Sequence, residues 1–316
     1  SILVVGQMIE ALESGNYDLE NTALVISQTG GGCRATNYIG FIRKALKDAG
    51  YPDVPVISFN VVGMEKMPGF KISPKMIYKL FQMVVLGDLM QKLRGKNRAY
   101  EVNKGETDEK IEKWMEISKQ IVAKSSWRKF KKCIHDMIQD FETIELDTSV
   151  KKPRVGIVGE ILIKYHSFGN NHIVEKLEAE GAEVVVPDLM GFVKFMCTHK
   201  ITFNRLINDD SNKAPIFRKV IKLIDFLERD IIKELKKSKK DAMMTVDIFE
   251  LEKNVEDILS IGNQTGEGWY LTAEMIEYIH HGINNIVCVQ PFACLPNHVV
   301  GKGVIKTIRT KYPDAN

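Results

Sequence analysis

Apolar positions along this chain follow two rhythms. Short β-branched runs, Leu24-Val25-Ile26 and Ile286-Val287-Cys288-Val289, are bounded by polar, glycine-rich or proline-rich stretches and read as buried strands. Longer segments place apolar residues every third or fourth position: Ile39, Ile42, Leu46 and Ala49, and again Met76, Leu80, Val84, Leu86, Leu89 and Leu93. That spacing is the signature of a helix with one buried face. The pattern predicts strands over 23–27, 56–61, 154–159, 183–187 and 286–289. It predicts helices from the Ser73-Pro74 start onward, then over 108–124, 127–144, 170–180, 216–236, 266–282 and 299–312. Met83, Met90, Met115 and Met137 recur at helical spacing and read as core filler.

Strands alternating with helices imply parallel sheets, so the expected fold is α/β with two doubly wound (Rossmann- or flavodoxin-like) domains and added helices. Lys151-Lys152-Pro153 reads as a linker, giving domains over 1–150 and 151–316. Both ends read as cut: Ser1 precedes an amphipathic helix directly, and Asn316 stops where another strand is expected, as in an excised piece of a longer polypeptide.

Composition changes this picture little. Of 316 residues, 44% are hydrophobic and 27% charged, and the formal net charge of +3 gives no argument for nucleic acid. No apolar run approaches the roughly 18–20 residues of a membrane span. The N-terminus lacks a signal-peptide pattern, and five widely spaced cysteines fit reduced, cytoplasmic thiols better than a disulfide framework.

Candidate chemistry centres on two cysteines. Gln28-Thr29-Gly30-Gly31-Gly32-Cys33-Arg34-Ala35-Thr36-Asn37 follows a strand and opens a helix. Glycines there allow close approach of a bulky group, and a cysteine at a helix N-terminus is biased toward the metal-binding thiolate. A glycine-rich connection with an incidental cysteine is the competing reading. Gln290-Pro291-Phe292-Ala293-Cys294-Leu295-Pro296-Asn297-His298 again sets a cysteine after a strand, between two prolines. In open α/β sheets ligands bind outside the carboxyl ends of the strands, so both cysteines mark a redox or metal site.

Four stretches, QTGGGCRATNYIGFIRKAL, VGEILIKYHSFGNNHIVEKLEAEGAEVVVPDL, GNQTGEGWYLTAEM and PFACLPNHVVGKGVIKTIR, resemble the 2-hydroxyacyl-CoA dehydratase family. The likeness is greatest to the large activase-related proteins of the 2-hydroxyglutaryl-CoA dehydratase system. The resemblance implies an iron–sulfur protein, a [4Fe–4S] cluster being the usual form. It also implies an ATP-driven activator that supplies a low-potential electron, and a CoA thioester as substrate for radical dehydration, a lyase reaction. Cys33 and Cys294 are then the expected metal ligands, with the cluster lying between the domains. Gly30, Gly31, Gly32, Arg34 and Asn37 would tune it or position a bound group. A [4Fe–4S] cluster takes four cysteines and only two are well placed, so the set is expected to be incomplete within this chain. A non-catalytic scaffold or electron-transfer partner, or a small-molecule binding module, is the alternative. A homodimer is compatible with either.

Two polar loops add candidates. Residues 159–172 follow a strand, and Glu160, His166 and Asn170 there are expected to contact substrate or cofactor, Glu160 and His166 being candidate catalytic groups. A cap by Asn170 or Asn171 together with a solvent-exposed histidine explains the same residues. Residues 262–269 carry Gly266, where backbone N–H groups could hold an anion; a capping role for Thr265 is the alternative. Gly301-Lys302-Gly303 lacks the spacing and hydroxyl of a phosphate loop, and the triple glycine lacks the dinucleotide spacing. Cys288, inside an apolar run, and Cys133 read as structural thiols; Cys197 with His199 has the wrong context for a zinc motif.

Overall fold

A computed structural model describes residues 1–28, 33–59, 70–207, 213–238 and 247–316. The chain forms two compact units, Ser1–Ser73 and Pro74–Asn316. In the first, helix α1 (Ile2–Glu13) precedes strand β1 (Leu24–Ser27), helix α2 (Tyr38–Asp48) and strand β2 (Val56–Phe59). The two strands pair in parallel, Leu24 opposite Val56 and Ser27 opposite Phe59. Ile39, Ile42 and Leu46, the stripe expected of α2, are buried with Leu12, Val54 and Val56. The last two positions expected of the second strand, 60 and 61, lie outside the described residues.

The second unit begins with three helices, α3 (Pro74–Arg98), α4 (Glu106–Lys124) and α5 (Trp127–Glu142). A three-stranded parallel sheet follows, built from β3 (Arg154–Gly159), β4 (Glu183–Val185) and β5 (Asn285–Val289) in the order β4-β3-β5. Short helices α6 (Ile161–Tyr165) and α7 (Ile173–Ala179) lie between β3 and β4. Between β4 and β5 come α8 (Leu189–Ile207), α9 (Ala214–Lys237), α10 (Ile248–Val255) and α11 (Gly268–His280). After β5 the chain makes the single turn α12 (Leu295–Asn297) and closes with α13 (Ile305–Lys311). Helices and parallel strands therefore mix as expected, on small sheets.

The compact units divide at 73/74, not at the Lys151-Pro153 linker. The reason is hydrophobic. Leu86, Leu89, Leu93, Phe130, Met137 and Phe141 of α3 and α5 share one core with Met190, Ile224, Ile231 and Leu235 of α8 and α9. Polar ties reinforce it: Asp88 accepts the backbone N–H groups of Leu189 and Met190, each at 2.9 Å, capping α8 from another helix. Of the methionines expected in the core, Met137 and Met90 are buried, whereas Met83 and Met115 are exposed.

Helix α11 is buried from Gly268 to Tyr278, all the way round, rather than on one face. It lies on β3, where Gly156 makes room for Tyr278: a Cβ there would stand 2.3 Å from the ring. Among the described residues no helix is long and apolar enough to cross a membrane.

Candidate active site at the carboxyl edge of the second sheet

The chain leaves the central strand β3 toward β4 on one side and returns to β5 on the other. The carboxyl ends of β3 and β5 therefore flank a point where strand order reverses, the place where open parallel sheets bind ligands. Backbone geometry there is tightly set. Gly159 ends β3 at φ 134°, and a Cβ on it would lie 1.8 Å from the Val289 carbonyl oxygen, so only glycine fits. The Glu160 N–H donates to that same carbonyl at 2.9 Å.

Glu160 caps α6, its carboxylate accepting the Ile163 N–H at 2.9 Å. Burial, and secondarily the nearby Glu267 carboxylate, push its carboxyl above the ordinary range. Glu267, only 5% exposed, spans the crevice. One of its oxygens accepts the Ile161 N–H after β3, and the other accepts Asn297 Nδ2 after β5, both at 2.9 Å.

Asn297 is fully buried and its Nδ2 also lies 3.0 Å from Cys294 Sγ, while its Oδ1 has no hydrogen-bond partner. The two are three positions apart, about one helical turn, which brings them to the same side of α12. Ala293 takes a left-handed conformation (φ 57°), uncommon for a residue with a side chain, and turns the chain into Cys294. Burial pushes the Cys294 thiol up, and the Asn297 hydrogen bond pulls it back down. A cation replacing the thiol proton would offset that desolvation. A single π-helical turn, His298–Lys302, follows, a distortion common at functional sites. Phe168, Phe292 and Leu295 stand exposed on the two loops that bound the crevice.

The other expected site residues divide. Gly266 sits at this edge (φ 64°), but its role is steric: a Cβ would lie 3.0 Å from Pro296, so glycine lets the Cys294 loop close down. Asn170 caps α7, with Oδ1 accepting the Ile173 N–H at 3.2 Å and Nδ2 donating to the Ile163 carbonyl at 2.9 Å. His166 Nδ1 accepts the Gly169 N–H at 2.9 Å and shapes the turn. Local backbone contacts thus engage both, Asn170 in the capping manner the alternative expects and His166 half-buried rather than solvent-exposed.

In the first unit Cys33 is partly buried and precedes a 3₁₀ turn, Arg34–Asn37, with Arg34 and Asn37 exposed. Gln28 Nε2 ties that turn to β1 through the Thr36 carbonyl at 2.9 Å. Gly30, Gly31 and Gly32 lie outside the described residues.

The remaining thiols are structural. Cys133 is buried, and burial raises Cys288 and Cys197 to about 11. Gly301 leaves just enough room for Cys288 Sγ, a Cβ there lying 3.1 Å away. Burial lowers His199 to about 4, in an aromatic setting against Phe195. Among the described residues no group of three or more His, Cys, Asp or Glu side chains is arranged to hold a metal.

Comparison with protein-family models, curated proteins and solved structures finds no match for this chain.

Glu267 and Asn297 are the buried crevice side chains that pattern reading overlooks. Each was visible only as a polar letter in a glycine- or proline-rich loop. A buried ion pair beneath the crevice, Lys164 to both oxygens of Glu274 at 2.9 and 3.1 Å, was hidden too. A separate cavity of about 80 Å³ lies between α3, β4, α8 and α11. Two of its lining lysines are paired, Lys92 with Asp188 of the same lining at 2.9 Å and Lys194 with Asp225 outside it at 2.7 Å, and Cys294 is not part of it.

Proposed function

We propose that this chain is an iron–sulfur component of the 2-hydroxyacyl-CoA dehydratase type, with Cys294 a thiolate ligand and Cys33 the candidate ligand of the first unit. One observation carries the reading: Cys294 sits beside the strand-order reversal of a parallel sheet, its sulfur accepting a hydrogen bond from a fully buried amide. That is how proteins orient a ligating thiolate. When bound, a cluster would supply one-electron transfer at low potential. An ATP-driven activator would deliver the electron, and a CoA thioester would be the acceptor. The finer fold reading, two doubly wound domains of a cytoplasmic protein, belongs to the same proposal; the β4-β3-β5 order supports it for the second unit.

What the residues themselves do is local. Pro296 and Gly266 hold the Cys294 loop close to the sheet edge, and Glu160 and Glu267 fix the backbone after β3. Anaerobic purification with iron and sulfide analysis tests the reading. Cys294→Ser and Cys33→Ser should each lower bound iron several-fold, and Cys133→Ser should leave it unchanged. Equal iron in all three would sink the assignment. A single-turnover assay with a 2-hydroxyacyl-CoA and reduced activator then separates catalysis from a scaffold, which gives no loss of water.

A further inference from the structure

We propose that the outward face of helix α9 is a docking surface for an anionic lipid bilayer, on which the chain lies without spanning it; this is independent of the reading of Cys294. Helix α9 carries two apolar stripes where a helix on the surface of a globular domain needs one. Ile221, Ile224, Ile231 and Leu235 face inward and are buried. Ile216, Val220 and Leu223 recur at the same three- and four-residue spacing on another side, and are 61%, 37% and 57% exposed. The row beside them, Lys219, Lys222, Phe226, Arg229 and Lys233, is exposed at every position and cationic at all but one.

Charge on this helix is sorted by side. Every acidic residue of α9 is drawn into an ion pair. Asp225 and Glu228 hold Lys194 at 2.7 and 2.5 Å, Asp230 holds Lys131 at 2.9 Å, and Glu234 holds Lys237 at 2.7 Å. Among the described residues no carboxylate pairs with Lys219, Lys222, Arg229 or Lys233, so the outward face is left uniformly positive. The Arg229 guanidinium lies over the Phe226 ring, 4.6 Å from its centre, which sets charge directly beside exposed aromatic surface.

A bilayer interface matches both halves of this face. With α9 lying flat, Val220, Leu223 and Phe226 reach the boundary between headgroups and acyl chains. The lysine stems run along apolar surface and carry their ammonium groups to the lipid phosphates. Other occupants match one half. A second copy packed symmetrically on this face would set cation against cation. A nucleic acid would meet the charges and leave the apolar row in water.

The test is co-sedimentation of the full chain with vesicles of phosphatidylcholine alone, or of equal parts phosphatidylcholine and phosphatidylglycerol. The wild type should pellet with the anionic vesicles only, and added salt should release it. Lys219→Gln combined with Lys222→Gln should weaken partition by roughly tenfold. Leu223→Ser combined with Phe226→Ser should weaken it by a similar factor, roughly tenfold, because the apolar contact is lost. All four side chains are exposed, so circular dichroism and thermal melting of both variants should match the wild type. Lys119→Gln, on α4 with its side chain 63% exposed, should bind as the wild type does. A wild type that ignores the anionic vesicles overturns the proposal, whether it instead dimerises through α9 or is retained on poly-glutamate as an acidic protein partner requires. Binding that survives both double variants would overturn it too, by placing the contact elsewhere. Loss in the lysine variant alone would reduce the face to general anion attraction and overturn the docking of its apolar row.

Discussion

Asp88 shows how strongly one buried side chain can tie stability to pH. Burial, then the neighbouring Asp188, push its carboxyl up to about 7 from an ordinary 3.8, despite two backbone N–H donors and Lys92 acting in the opposite direction. A raised carboxyl binds its proton more tightly folded than unfolded. Its contribution to stability is therefore complete below the unfolded value and is lost as pH rises through about 7. Asp88→Asn, neutral throughout, should flatten the dependence between about pH 4 and pH 7. At pH 5 the variant should be weaker by roughly 1 kcal/mol, since one of the two α8 caps loses its acceptor. At pH 8 the difference should vanish or reverse. Urea unfolding at the two pH values checks this, and a constant difference between the proteins would refute it.

Elements in this protein meet at backbone distance where glycines permit it. Gly159 is the sharpest case, since the end of β3 lies against the Val289 carbonyl of β5 and takes φ 134°. Gly159→Ala adds a steric conflict with backbone to a strained φ, and should cost about 3 kcal/mol or more in thermal or urea unfolding. On the proposed reading of Cys294 as a ligand, it should also lower bound iron, because the Glu160 and Cys294 loops can no longer close on each other. Gly181, at φ 90° with open space around its missing side chain, is the control. Alanine there should cost only about 1 kcal/mol. Similar losses at both positions would mean that strand approach at the crevice matters less than backbone strain alone.

At the scale of the molecule, the two units are unequal. Pro74–Asn316 contains the shared helical core and the cores built around Trp269, Tyr278 and Ile157. Expressed alone, this piece should melt cooperatively and keep its helix content. Among its described residues, Ser1–Ser73 has one two-stranded sheet and one small core. Two paired strands are marginal by themselves, and a chain of this length buries too small a fraction of its surface for comfortable stability. Isolated, it should show no sharp thermal transition. Circular dichroism of the two pieces decides the point, and a cooperative melt of the first would contradict it.

Periodicity by itself determined most local structure. The β-branched runs became β1, β3 and β5 because such stiff side chains suit a pleated, buried surface, and the Ile39-Ile42-Leu46 stripe became the buried face of α2. The post-strand position of Cys294 was legible for the same reason, since strand end and loop are local features. Helices α8 and α10 escaped notice, and α11 read as amphipathic although it is buried on all sides; burial is imposed by neighbours, not by spacing. The 73/74 division likewise came from which apolar faces meet, and a proline-bearing linker carries no information about that. Only tertiary structure brought Glu267 to Asn297 and Lys164 to Glu274, pairs 30 and 110 residues apart. A buried polar side chain is stabilised by partners that folding alone brings within reach, and no pattern along the chain records where they will be.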